Sequence, residues 1–228
     1  RELICDKRIT ESKLWSSSLR KVFKSVMAIQ IEDLRSSIIK EACGLLIATA
    51  QTMRDRFEGL LKYFTPKLMK LLYVTIKIIS TTSYQTLKSL MTTVGTLHVL
   101  PTLCDLSLND SHAAVRFRCS EFIGDLIKTY TDEGRTKDLG SHRAEIEGAM
   151  LKCLVDADTA VRAEARVLFG TFQRVWPSVA ASLFEKMRPE TQRAIKRAAT
   201  EKTHGTRKRK KGFKKSKNNY GTWSSGIF

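Results

Sequence analysis

A five-residue pattern recurs along the chain and restricts what it can fold into. Val161-Arg162-Ala163-Glu164-Ala165 reads β-branched, basic, any, any, small. The same grammar appears as Val115-Arg116-Phe117-Arg118-Cys119, as Ile76-Lys77-Ile78-Ile79-Ser80 and as Ile39-Lys40-Glu41-Ala42-Cys43, with offsets of 46, 39 and 37 residues between neighbouring copies. A weaker copy, Ile195-Lys196-Arg197-Ala198-Ala199, follows 34 residues after the last. In a helix, the β-branched residue and the small residue four positions on share one face, and the small one lets a neighbouring helix approach closely. The basic residue lies beside that face, near the helix start. The copies therefore set Lys40, Lys77, Arg116 and Arg162 along one edge of a stack, and that edge is where function is expected.

A near-constant period in this range, on helical sequence, specifies an α-solenoid of HEAT-like or armadillo-like helix pairs. The fold class expected is all-α. With 228 residues the chain buries a real core, and 4 Pro and 12 Gly suit a helical chain. One elongated domain over residues 1–201, followed by a basic tail over 202–228, describes it best. The opening residues lack Met and read as mid-sequence, so a piece of a longer protein is expected.

Helices are expected from Ser12 to Ile29, with Leu14, Leu19, Val22, Phe23, Val26 and Met27 on the apolar face, and from Leu34 to Arg54. Thr65-Pro66 reads as an N-cap with proline at the first helical position. From Thr75 to Thr93 the Thr, Ile and Ser content favours strand by propensity, but the repeat register requires helix. Leu100-Pro101 introduces a short helix over Leu103 to Leu108. Asn109-Asp110-Ser111 caps a helix to Tyr130, and Thr131 to Leu139 is a loop. Ser141 caps a helix to Leu154 and Asp158 one to Arg174. Trp176-Pro177 opens another, and Pro189-Glu190 opens the last, to Glu201. Residues 203–228 lack core-forming content and are expected to be disordered.

The net charge is +17, and residues 202–217 hold nine of the cations and no acid. These include Arg207, Lys208, Arg209, Lys210, Lys211, Lys214, Lys215 and Lys217. Both tail and body point to an anionic partner. The tail alone reads equally as a nuclear localisation signal, a nonspecific nucleic-acid contact or a tether to an acidic polymer. No apolar run approaches the roughly 20 residues of a membrane span, and no membrane partner is expected.

No catalytic constellation stands out. A glycine-rich phosphate loop is missing, and His98, His112, His142 and His204 are dispersed. Asp156 and Asp158 precede a helix and read as capping residues. Cys5, Cys43, Cys104, Cys119 and Cys153 show no metal-like spacing and read as small hydrophobes of a reduced compartment, cytosol or nucleus. Neither enzyme activity, a cofactor nor a small-molecule substrate is expected. For Arg116 and Arg162, each six residues after an Asp, two readings stand side by side: bridges between repeats, or partner contacts. Lys77 has no such acid and is the better partner contact.

Three segments together resemble the TOG domain of the CLASP (cytoplasmic linker-associated protein) family. They are Asp33 through Cys43, Val115 through Phe122, and Asp156 through Arg166; Trp176-Pro177 and Gln192 through Lys196 fit as well. The likeness covers about residues 14–200. It implies a flat paddle of HEAT repeats whose intra-repeat turns bind αβ-tubulin or the microtubule lattice, with Arg35, Val74, Lys77, His112, Arg116 and Arg162 in or beside the tubulin-facing turns. It also implies a non-enzymatic protein that suppresses microtubule catastrophe in the cytoplasm, and a tail resembling the family's basic linkers. Where the family's first turn exposes a tryptophan, this chain begins within that repeat. Trp15 falls later, on a helix, as a packing residue, so the first repeat reads as incomplete. Outside the resemblance, a HEAT scaffold for another protein or for nucleic acid is the alternative.

Overall fold

Small and β-branched residues at helical spacing produce the architecture, which a computed structural model describes over residues 17–33 and 35–209, the last nine as backbone. In chain order the helices are α1 (Ser17–Glu32), α2 (Ser36–Met53), α3 (Glu58–Lys70), α4 (Lys77–Val94), α5 (Leu100–Asn109), α6 (Ala113–Asp132), α7 (Arg143–Leu154), α8 (Thr159–Val175), α9 (Pro177–Lys186) and α10 (Pro189–Arg209). Short 3-10 turns at Arg54–Phe57, Leu71–Tyr73, Leu97–Val99 and Asp138–His142 join them. No strand occurs among the described residues.

Consecutive helices pair, and the pairs stack in two layers. In one layer α1 packs on α3, α3 on α5 and α5 on α7; in the other α2 packs on α4, α6 on α8 and α8 on α10. The expected all-α solenoid of HEAT-like pairs is therefore the fold found. The core runs continuously between the layers. In α6, for example, Val115, Cys119, Phe122, Ile123, Leu126, Ile127 and Tyr130 are buried at spacings of three and four. The four described cysteines, Cys43, Cys104, Cys119 and Cys153, are buried and free. Burial pushes the Cys104 thiol up to about 12, leaving it an inert packing group.

The Thr- and Ile-rich stretch is helical, as the register required. Its buried positions, Ile79, Ser83, Thr86, Leu87, Leu90, Met91 and Val94, keep the helical period. Its hydroxyls find acceptors without a sheet: Ser83 Oγ donates to Leu68 O at 2.6 Å, and Thr86 Oγ1 to Thr82 O at 2.7 Å. Gly95 ends α4 at φ 58°, a left-handed cap that favours glycine, and its carbonyl accepts from Tyr130 Oη at 2.7 Å.

Several local expectations are corrected. Thr65-Pro66 does not start a helix; α3 begins at Glu58 and carries Pro66 in its interior. Thr65 is fully buried and donates to Leu61 O at 2.8 Å, one turn back, rather than capping. Proline there leaves one carbonyl of α3 without its helical partner. Pro66→Ala should accordingly raise the urea midpoint, by about 1 kcal/mol or more of stability. Ser141 is not a cap either. A 3-10 turn leads directly into α7, and the Ser141 hydroxyl donates back to Asp138 O at 3.3 Å. The last helix runs to Arg209, past the expected end at Glu201, since no proline follows Pro189 to stop it.

The apolar face of α1 also differs from expectation. Phe23 and Met27 are buried, with Ala28 and Ile31, but Val22 and Val26 are 57% and 49% exposed. At this end of the described stack α1 has neighbours on one side only. Leu14, Trp15, Cys5 and residues 210–228, with tail cations Lys210, Lys211, Lys214, Lys215 and Lys217, lie outside the described residues.

Candidate functional site

Three of the turns inside the helix pairs share one design. In these, an aspartate accepts from a backbone N–H two residues on: Asp33 Oδ1 from Arg35 at 2.9 Å, Asp110 Oδ1 from His112 at 2.8 Å, and Asp156 Oδ1 from Asp158 at 2.9 Å; the turn between α3 and α4 holds no aspartate. This Asx geometry turns the chain sharply and starts the second helix. Asp158 then caps α8, accepting from Ala160 and Val161 backbone N–H groups, as expected; Asp156, also expected to cap, instead accepts from the Asp158 N–H and from Arg116.

The recurring arginine closes the turn. Arg116 Nη1 donates to the carbonyls of Asp110 and Ser111 at 2.8 and 2.9 Å. Arg162 Nη1 does the same to Asp156 and Ala157 at 2.6 and 2.7 Å. The six-residue spacing from Asp to Arg is thus the reach of a guanidinium from the first turn of a helix to the loop before it. Arg116 goes further. Its Nε and Nη2 form a bidentate pair with Asp156 of the next repeat, at 2.7 and 2.9 Å, and the two side chains are only 15% and 7% exposed. The bridging reading therefore describes Arg116, and Arg162 clasps its own turn. The Arg116 guanidinium holds the Asp156 carboxyl below its ordinary range.

Contacts between neighbouring pairs set the turns in a row. Lys67, in the last turn of α3, donates to Glu32 Oε1 at the end of α1, at 2.7 Å. Tyr73 stacks on His112, with ring centroids 3.5 Å apart and planes within 2°. Arg116 and Asp156 tie the third turn to the fourth. Of the expected residues, His112 thus meets Tyr73 of the preceding turn, and Arg116 meets Asp156 of the turn that Arg162 closes. Arg35 is exposed and paired with Asp33, which it pulls down to about 2 through its side-chain bonds. Val74 is half-buried against the core. His112 is a half-exposed stacking partner of Tyr73.

Lys77 is exposed and forms no ion pair with a described residue. Its register differs from the one expected. Val115 and Val161, the third residues after their N-caps, are fully buried. The counterpart after Ile76 is Ile79, 1% exposed, whereas Ile76 is 43% exposed. The copy at Ile76–Ser80 is therefore offset by three, and Lys77 opens α4 at the turn itself instead of matching Arg116. Around it Tyr73, Ile76 and Ile78 are also exposed. The sequence signal for this exposed cluster is the crowding of Ile76, Ile78 and Ile79 around Lys77, more β-branched residues than a single core face takes.

The CLASP N-terminal family profile matches residues 7–196. A Dictyostelium discoideum protein of uncharacterised role is 31% identical over 185 residues, covering 81% of this chain and 22% of its own length. The Arabidopsis thaliana CLIP-associated protein is 30% identical over 172 residues, 74% of this chain and 12% of its own. The Drosophila melanogaster CLIP-associating protein is 25% identical over 189 residues, 82% and 12% respectively. The chain thus spans less than a quarter of the length of these relatives.

Proposed function

The chain belongs to the CLASP N-terminal family, and from that premise we propose that it is a microtubule-associated module that binds αβ-tubulin or the microtubule lattice through its row of intra-repeat turns. The observation that carries this reading is the turn at Tyr73–Ile78. It offers an aromatic ring, two exposed isoleucines and a lysine that pairs with no described acid, on a row of turns whose other charges are largely satisfied internally. Aromatic and apolar anchors beside a cation are the composition of a binding hot spot. Tubulin presents an acidic surface, which Lys77 and the basic tail complement.

On this reading Arg116 and Arg162 shape the edge, while Tyr73, Ile76 and Lys77 touch the partner, with Arg35 and His112 at its flanks. The tail adds attraction without sequence readout, and cellular placement follows the cytoskeleton. Lys77→Glu is expected to weaken microtubule cosedimentation about tenfold or more, with helical content and melting temperature unchanged. Binding that survives both Lys77→Glu and Tyr73→Ala assigns the contact elsewhere.

A further inference from the structure

Away from the turn tips, the layer of α1, α3, α5 and α7 is strongly uneven in charge. Arg20, Lys21 and Lys24 on α1 and Lys62, Lys67 and Lys70 on α3 face only two carboxylates on those helices, Glu32 and Glu58. The next two helices of the layer, α5 and α7, hold two cations and three carboxylates. Positive potential is therefore concentrated on the α1–α3 end of one broad face.

That face has a defined centre. The half-buried ring of Tyr63 lies under two ammonium groups, Lys24 Nζ at 5.0 Å from its centroid and Lys67 Nζ at 5.7 Å. Tyr63 in turn packs edge-on against buried Phe64, with centroids 5.0 Å apart. The lysines are thus presented from a fixed base. A carboxylate already occupies the rim nearest the turns. Glu32 accepts from Lys67, its pKa is lowered by that bond, and Lys70 adds further attraction. The rest of the row, Lys24 with exposed Arg20, Lys21 and Lys62, forms no ion pair with an acid among the described residues.

We infer that the α1–α3 face, centred on Lys24, Tyr63 and Lys67, is a second binding surface that takes an acidic, unstructured peptide. It rests on the proposed function in one respect: the peptide belongs to the same acidic partner that docks on the adjoining turns. Glu32 shows how such a side chain is received, and flexible glutamates would continue that pattern along the row. A nucleic acid fits less well. The bases of a single strand stack on an open aromatic face, and the Tyr63 ring is already covered by lysine.

The test is carbodiimide cross-linking of a ten-residue polyglutamate peptide to the full chain at low salt, with lysine sites mapped by mass spectrometry. Lys24, Lys62 and Lys70 should be labelled well above Lys137 and Lys152, which are exposed but lie outside this face. In the variant K21E/K24E/K62E, labelling of Lys67 and Lys70 should fall about fivefold or more, while the tail lysines, serving as an internal control, stay unchanged. K21Q/K24Q/K62Q should give a smaller loss and guards against a folding defect in the first variant. Labelling confined to the tail, or equal at Lys137 and Lys152, overturns the inference. So does a homopolymeric RNA that clears peptide from Lys24 but not from the tail, which would reassign the face to nucleic acid. Lys77→Glu should leave peptide labelling intact. If the wild type fails to cosediment with microtubules yet labels at Lys24, the proposed function falls and this surface stands.

Discussion

Arg116→Ala should lower the stability of the chain by about 3 kcal/mol, read from urea denaturation at neutral pH. The loss exceeds that of an ordinary surface ion pair because Asp156 stays behind. Its carboxylate is 7% exposed and would keep its charge with its bidentate partner gone. Two turn carbonyls, of Asp110 and Ser111, would lose their donor as well. Arg116→Lys should recover little, since an ammonium cannot span both carboxylate oxygens and the loop carbonyls together. Acid narrows the difference. Arg116 holds the Asp156 carboxyl below its ordinary 3.8, so the pair stabilises the fold above that pH. The contribution fades as pH falls through the lower, folded value. The gap between wild type and variant should begin to narrow below about pH 4 and close only once the pH lies below that folded value.

Phe122→Ala should cost about 3–5 kcal/mol, the range for removing a fully packed ring from a core. Phe122 is 2% exposed in the middle of α6, stacked on Tyr84 with centroids 5.9 Å apart. Tyr84 in turn donates to Glu121 at 2.7 Å and carries the Arg118 guanidinium 4.2 Å above its ring. The lesion therefore strikes the joint between α4 and α6. In a stacked array each pair leans only on its neighbours, so a weak central joint uncouples the two ends. The expected signature is a broadened calorimetric transition, or two, in place of a single one. A single sharp transition at an unchanged midpoint would contradict it.

The helix-pair architecture was legible because burial repeats. Val115 with Cys119 and Val161 with Ala165 are buried pairs four residues apart, and their spacing along the chain already implied stacking. The Thr- and Ile-rich α4 was legible only through that register, since propensity pointed to strand; its hydroxyls bond to helix carbonyls, which no propensity scale encodes. Pro66 was misread because proline at a helix start and proline inside a helix look alike until the residues before it are placed. The binding edge was half legible. The spacing of Asp and Arg marked the turns, but whether a guanidinium faces a partner or its own loop depends on carbonyl directions set by the Asx geometry. Ile76 looked like a core residue because it was aligned by residue type. Only the position of the N-cap shows that Ile79 takes that place.

Cross-ties between the turns have a mechanical consequence. Glu32 with Lys67, Tyr73 with His112 and Arg116 with Asp156 join each tip to the following repeat, so the tips behave as teeth on one bar. On the proposed reading, a partner settling on the tips would meet spacings set in advance, and little chain freedom would be lost on contact.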